Sequence, residues 1–173
     1  MLKIFSTQLS GYFKRIAEQE EMNIEDSARL LAQALVGDGH IYMYGVKEMQ
    51  GVVLEALYGA EPLQRAKQLK REAIEEVTPA DRVILISRFS TDEEAILLAK
   101  ELQTQGHAVV GISAVKEGEE SLEQFTDAHI DTKLLKALIP DEDGTRYGFP
   151  SGMTALFAYY GLKFTAQEIL AEY

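Results

Sequence analysis

The chain has 173 residues, 46% of them apolar and 26% charged, and 28 Asp and Glu against 17 Lys and Arg leave a formal net charge of −11. So acidic a surface argues against DNA, RNA or anionic membrane as the main partner. The absence of cysteine removes disulfide frameworks, thiol catalysis and cysteine-held metal centres, and three scattered histidines do not make a metal site.

Leu2, Phe5, Leu9, Phe13 and Ile16 recur at three- and four-residue steps and predict an amphipathic helix. Ile24, Ala28, Leu31 and Leu35 repeat the pattern in a second helix, which Gly37-Asp38-Gly39 ends. Ile41-Tyr42-Met43-Tyr44, stopped by Gly45, is too short for a buried helix and rich in β-formers, so it reads as a buried strand. A helix follows from Glu48 to Tyr58, closed by Gly59 and Pro62. After a turn at Thr78-Pro79-Ala80-Asp81, Val83 to Ile86 is a second buried strand, Ser87 to Thr91 a polar loop, and Asp92 to Gln105 a helix with Ala95, Leu98, Ala99 and Leu102 on one face. Ser90 with Glu93, and Thr91 with Glu94, form two overlapping capping boxes for its start. Gly106 closes it, and Ala108 to Ile112 is the next strand. Both strands of this strand–helix–strand unit are apolar throughout, which predicts parallel pairing with both sheet faces covered. Ser121 and Gln124 frame a short helix, His129-Ile130-Asp131 a short strand, and Asp141 to Gly152 a glycine-rich loop. A C-terminal helix from Met153 to Tyr160 is interrupted by Gly161, and Thr165-Ala166-Gln167-Glu168 caps a last turn or two.

Helices alternating with buried strands predict an α/β fold, a three-layer α/β/α sandwich around a central, mainly parallel sheet. Ile41–Tyr44, Val83–Ile86 and Ala108–Ile112 should be inner strands. One domain over residues 1–173 is expected, with helices to residue 36, the sheet core over 37–132 and a loop with C-terminal helices over 133–173. No apolar run approaches the ~20 residues of a bilayer span. Met1-Leu2-Lys3-Ile4-Phe5-Ser6 meets polar residues too early for a signal peptide, so a cytoplasmic location is expected. The first apolar stripe begins where a monomer has little left to cover it, which predicts a homodimer or higher homo-oligomer.

Ligands of open parallel sheets bind outside the carboxyl ends of the strands, near the switch point. Two loops leave such ends here, Gly45-Val46-Lys47-Glu48 and Ser87-Arg88-Phe89-Ser90-Thr91. The second offers hydroxyls, a guanidinium and a helix start, a setting that suits phosphate. Ser90 and Thr91 can equally be plain caps, and Asp92, Glu93 and Glu94 oppose a bound anion. The loop Gly144 to Gly152 carries an arginine and two aromatics into a helix and is either a further anion cradle, a lid or simple surface. His40, His107 and His129 stand at strand starts, on the opposite edge from these loops, and read as structural or solvated. Phe157, Tyr159, Tyr160 and Phe164 read as core or subunit interface. No Gly-x-Gly-x-x-Gly or Walker loop is present, and no cofactor or metal is expected.

Asp81 to Glu93 resembles the centre of the sugar isomerase (SIS) family, in which a strand ends in Ser-x-Ser-Gly-x-Thr. Gln105 to Ser113 is similar to that family's following strand, Ile41 to Gly45 to its first strand and glycine turn, and Glu55-Ala56-Leu57-Tyr58-Gly59 to the end of its first sheet helix. The resemblance spans about residues 20–132 and implies a SIS-type, flavodoxin-like sheet of five strands. It also implies a phosphorylated sugar as ligand, with Ser87, Arg88, Ser90, Thr91, Gly45 and Lys47 around the phosphate. Glu55 is similar to the base of phosphoheptose isomerases, which implies aldose–ketose isomerisation; the alternative is a non-catalytic phosphosugar sensor or regulatory domain. The chain departs from the family pattern at Lys47, where a second glycine usually stands, at Met49 and Phe89 in place of serines, and at Ser90 in place of a glycine. Gln167-Glu168-Ile169-Leu170 has leucine where phosphoheptose isomerases carry a histidine.

Overall fold

A computed structural model describes residues 1–173. Five parallel strands form the sheet: β1 (Ile41–Gly45), β2 (Ala66–Gln68), β3 (Arg82–Phe89), β4 (Ala108–Ala114) and β5 (Ala128–Asp131). Their order is β2-β1-β3-β4-β5, so the chain reverses direction across the sheet between β1 and β3. β1, β3 and β4 are the inner strands, as their unbroken apolar runs predict. β2 carries no such run. Its three residues are half-buried or exposed, and the sequence pattern had nothing to register there.

Side chains alternate between the two faces of the sheet. Ile41, Met43, Ile84, Ile86, Val110 and Ile112 pack with the helices α1 (Leu2–Gln19), α2 (Glu21–Val36), α3 (Gln50–Tyr58) and α5 (Ser151–Leu170). Tyr42, Val83, Leu85 and Val109 pack on the other face with α4 (Glu93–Thr104) and with 3₁₀ turns at Arg71–Glu76 and Leu122–Phe125. The last of these turns has the expected Ser121/Gln124 capping box. Each fully buried Ile, Leu or Val contributes roughly 1.5–3 kcal/mol over an exposed one, so this two-sided core dominates the fold's stability. A two-residue hairpin, β6 (Ile139–Pro140) with β7 (Arg146–Tyr147), lies outside the sheet.

Three expectations are corrected. The C-terminal helix does not break at Gly161, because α5 runs unbroken from Ser151 to Leu170. The missing side chain instead lets α2 approach: a Cβ at Gly161 would sit 3.4 Å from Ile24 Cδ1. The polar loop after β3 starts later than predicted, since Ser87, Arg88 and Phe89 continue the strand past an irregularity between Ile86 and Phe89. Neither Ser90 nor Thr91 caps α4; Asp92 does, its carboxylate accepting from Ala95 N at 3.0 Å. The later part of the α1 stripe is covered by the chain itself, Leu9 being buried near Leu134, Leu138 and Ile139 and Phe13 stacking on Phe157 at 4.5 Å, while Leu2 at its start stays 79% exposed. No helix is long and apolar enough to cross a membrane.

Candidate functional site

The carboxyl ends of β1 and β3 lie side by side, with Gly45 opposite Ile86 in the register. Gly45 must be glycine, because a Cβ there would come within 2.3 Å of the Met49 carbonyl oxygen. That close approach starts the tight 3₁₀ turn Lys47–Met49 which leads into α3. Lys47 has φ +52°, a left-handed conformation that side chains rarely adopt. The backbone of a glycine turn is thus kept where the sequence has lysine.

Lys47 and Glu48 face Arg88, Phe89, Thr91 and Asp92 across a pocket of about 100 Å³ floored by Val46. Arg88 donates its Nε to Glu48 Oε2 at 2.9 Å, and its Nη2 reaches the same oxygen. The Ser151 hydroxyl, at the start of α5, lies 3.4 Å from that oxygen. Phe149 meets Phe89 edge-on at 5.8 Å, and Lys116 stands 4.6 Å over the Phe89 ring. The glycine-rich loop 144–152 therefore joins the two strand-end loops at one place.

Of the residues singled out in the sequence, the structure brings Lys47, Arg88 and Thr91 together around this pocket. Gly45 lines the neighbouring groove. Ser87 and Ser90 are turned inward. The Ser87 hydroxyl donates to the Phe89 carbonyl at 2.8 Å, and Ser90 Oγ accepts from the Lys116 N–H at 2.9 Å and from the Ser121 hydroxyl at 2.7 Å. Both hydroxyls hold the loop's own shape. Glu55 lies further along α3 and lines neither cavity; its Oε1 accepts from the Tyr160 hydroxyl at 2.7 Å. That bond holds the Tyr160 phenol above its usual range. The helix neighbours of Glu55, Val53 and Leu54, line the groove next to that pocket. Leu170, which stands in place of the phosphoheptose isomerase histidine, does not approach this pocket's lining.

Beside the pocket, across the Gly45–Val46 peptide, opens a groove of about 430 Å³ above the ends of β1 and β2. Tyr44, Gln50, Gln68, Lys70, Arg71 and Glu72 line it. Burial, and then its bond to Glu94, push the Tyr44 phenol up to about 12, so it stays a neutral donor at physiological pH. The sequence reading passed over Lys70-Arg71. Two adjacent cations after a buried Leu69, in so acidic a chain, were the available signal.

Of the three histidines, His129 is structural in this arrangement. His129 is buried in β5 and paired with Ser113 at 2.7 Å, and it fits only because residue 111 is glycine: a Cβ there would lie 2.6 Å from the ring. The main-chain N–H of His40 donates to Asp81 Oδ1 at 2.7 Å, and the His40 ring Nδ1 lies 3.7 Å from the same oxygen. No group of three His, Asp or Glu side chains is placed to hold a metal ion.

A family model described as "Domain of unknown function (DUF2529)" matches residues 1–170. The chain is 51% identical over 173 residues to "Uncharacterized protein YwjG" of Bacillus subtilis (strain 168), covering 100% of this chain and 99% of that protein. Among solved structures it is similar to E. coli CFT073 c3406 in complex with a phosphosugar, with a TM-score of 0.66 at 15% identity, over 97% of this chain and 89% of the other. It is also similar to the sugar isomerase domain of the RpiR transcription factor from Sphaerobacter thermophilus, with a TM-score of 0.61 at 12% identity, over 99% and 96% of the two chains. At such identities the likeness is one of fold. The α/β architecture is of the SIS type, as the sequence resemblance implied.

Proposed function

We propose that this chain, which belongs to the DUF2529 family, binds a phosphorylated sugar at the carboxyl edge of its sheet, in the pocket between Lys47 and Arg88, and does so without turning it over. One observation carries this reading. The β1 turn, the β3 loop and the start of α5 meet at the switch point, where Arg88 and the Ser151 hydroxyl already converge on one carboxylate oxygen of Glu48. A guanidinium beside a hydroxyl is a donor set that a phosphate oxygen can take over, with stronger charge-assisted bonds for a dianion than for a carboxylate. The phosphosugar complex of the structural neighbour c3406 supports the ligand class. The separation of Glu55 from the pocket supports binding without isomerisation, as a sensor or regulatory domain.

A second reading, aldose–ketose isomerisation of the phosphoheptose type, has the Glu55–Tyr160 pair behind it. A carboxylate 2.7 Å from a phenol is a base beside an acid, which that proton transfer requires. In that reading the pair would act on a ligand reaching it from outside this chain's own pocket, such as one held by a second copy in a homo-oligomer.

Calorimetry with a panel of aldose and ketose phosphates, including sedoheptulose 7-phosphate, tests both. Binding in the wild type that drops at least ~10-fold in Arg88→Gln, with no interconversion of any bound sugar by NMR, is the expected result. Turnover that is lost in Glu55→Gln establishes the second reading instead. Absence of binding to every phosphosugar removes both.

A further inference from the structure

The carboxyl edge carries cations that form no ion pair within the chain. Most Lys and Arg side chains here are occupied. Arg65, Arg82 and Arg146 hold backbone carbonyls, Arg29, Lys100 and Lys133 sit in ion pairs, and Lys67 and Lys116 lie over aromatic rings. Lys47, Lys70 and Arg71 make no ion pair, side-chain hydrogen bond or ring contact, a condition shared only by Lys3 and Lys136. The first three line the pocket and the groove on either side of the Gly45–Val46 peptide. A net charge of −11 gives unpaired cations a wide choice of carboxylates, so leaving three of them free at one edge is a placement with a ligand-sized meaning.

Resting on the phosphosugar reading above, we infer that the ligand is doubly anionic: one phosphate in the Lys47/Arg88 pocket and a second anionic group, phosphate or carboxylate, in the groove at Lys70 and Arg71. The groove suits the second group and the carbon chain leading to it. Gln50 and Gln68 supply amides for sugar hydroxyls, and Leu69 and Val53 give apolar wall. Tyr44 donates to Glu94 and so keeps that carboxylate engaged, which leaves Glu72 as the one acid lining the groove. Two poles on one rigid edge act as a divalent receptor. The first anion to bind raises the local concentration of the second, and the gain multiplies.

The experiment is titration calorimetry at low salt with four probes: inorganic phosphate, glucose 6-phosphate, glucose 1,6-bisphosphate and 6-phosphogluconate. The wild type is expected to bind one or both of the doubly anionic sugars at least ~10-fold more tightly than glucose 6-phosphate, about the worth of one charge-assisted contact. Which of the two wins assigns phosphate or carboxylate to the groove. In the double variant Lys70→Gln/Arg71→Gln that ratio should collapse toward one. In Lys136→Gln, which removes an equally free cation elsewhere, the ratio should persist. Thermal melts of each variant confirm that it is folded. Equal affinity for singly and doubly anionic sugars, or a ratio that survives in the double variant, overturns the inference. If glucose 6-phosphate still binds and loses affinity in Arg88→Gln, the phosphosugar reading stands while the second pole falls. If no sugar phosphate binds at all, both fall together.

Discussion

Two carboxylates hold the two ends of the same strands, and they do opposite things. Asp81, just before β3 at the amino edge, is 4% exposed. It accepts from the His40 N–H at 2.7 Å, the Thr78 N–H at 2.8 Å and the Thr78 hydroxyl at 2.9 Å. Glu48, at the carboxyl edge, is a third exposed and accepts from Arg88 and Ser151 side chains. The donors around Asp81 are mostly main chain, fixed by the strands they begin, and no ligand can have them. The donors around Glu48 are side chains that can let go. An edge whose polar groups are spent on backbone is architecture; an edge whose cations are lent to a movable carboxylate, or to none, is a site.

The largest effect that would break this contrast is expected at the amino edge. Asp81→Ala removes two part-buried main-chain N–H bonds to a charged acceptor, at roughly 1.5–3 kcal/mol each, so urea unfolding should show a loss of about 3 kcal/mol. Phosphosugar affinity measured in the folded fraction should stay within a factor of two. A stability loss below ~1 kcal/mol would mean the carboxylate is not the tie described. Glu48→Gln should do the reverse. An exposed ion pair is worth about 0–1 kcal/mol, so the melting curve should hardly move, while phosphosugar affinity rises about tenfold because the competing carboxylate is gone. Unchanged or weakened binding would show that Glu48 is not in the ligand's way.

Acid titration sharpens the same contrast on a smaller scale. Burial depresses His129, so the unfolded chain takes its proton first. Stability should be complete above pH ~6.5 and decline as the pH falls through the lower folded value. For Asp81, burial pushes the carboxyl up, but the bonds from Thr78 and His40 outweigh it and hold it below the ordinary range. Its share is present above pH ~4 and is lost as the pH falls further. Calorimetric melting from about pH 8 to about pH 3 should therefore show two declines; a flat profile between about pH 7 and 5 would contradict the His129 assignment. The smallest effect is at Lys47. Replacing it by glycine relieves a left-handed conformation worth about 1–2 kcal/mol but adds about 0.5–1 kcal/mol of chain entropy, so a net gain under about 1 kcal/mol is expected in the melt.

Much of the fold was legible because its strands are short and wholly apolar. Ile41–Tyr44, Val83–Ile86 and Ala108–Ile112 announced themselves as inner strands, and their order of appearance between helices pointed to the parallel sheet. β2 was silent because an edge strand of three residues, Ala66-Lys67-Gln68, is paired through its backbone and carries no side-chain pattern. Gly161 misled because a glycine in a helical pattern signals an end unless a neighbouring helix needs the room, and only the packing of Ile24 shows that it does. At the site, Lys47, Arg88 and Thr91 were readable as loop residues after strands. The inward turn of Ser87 and Ser90 was not, because for Ser90 it depends on partners at Lys116 and Ser121, distant along the chain. Glu48 was overlooked as a partner for Arg88 for the same reason: 40 positions separate them in sequence.

The two outer strands have a consequence for self-association. A sheet edge with free N–H and C=O groups invites another chain to continue it. Here β2 offers three residues, one of them lysine, before the chain turns away. β5, on the other side, has its Asp131 N–H taken at 2.7 Å by Glu20, a buried acid at the junction of α1 and α2. Both flanks are short and partly occupied, which makes them poor templates for strand-by-strand extension. Copies that associate would have helix faces, not long open strands, to meet through.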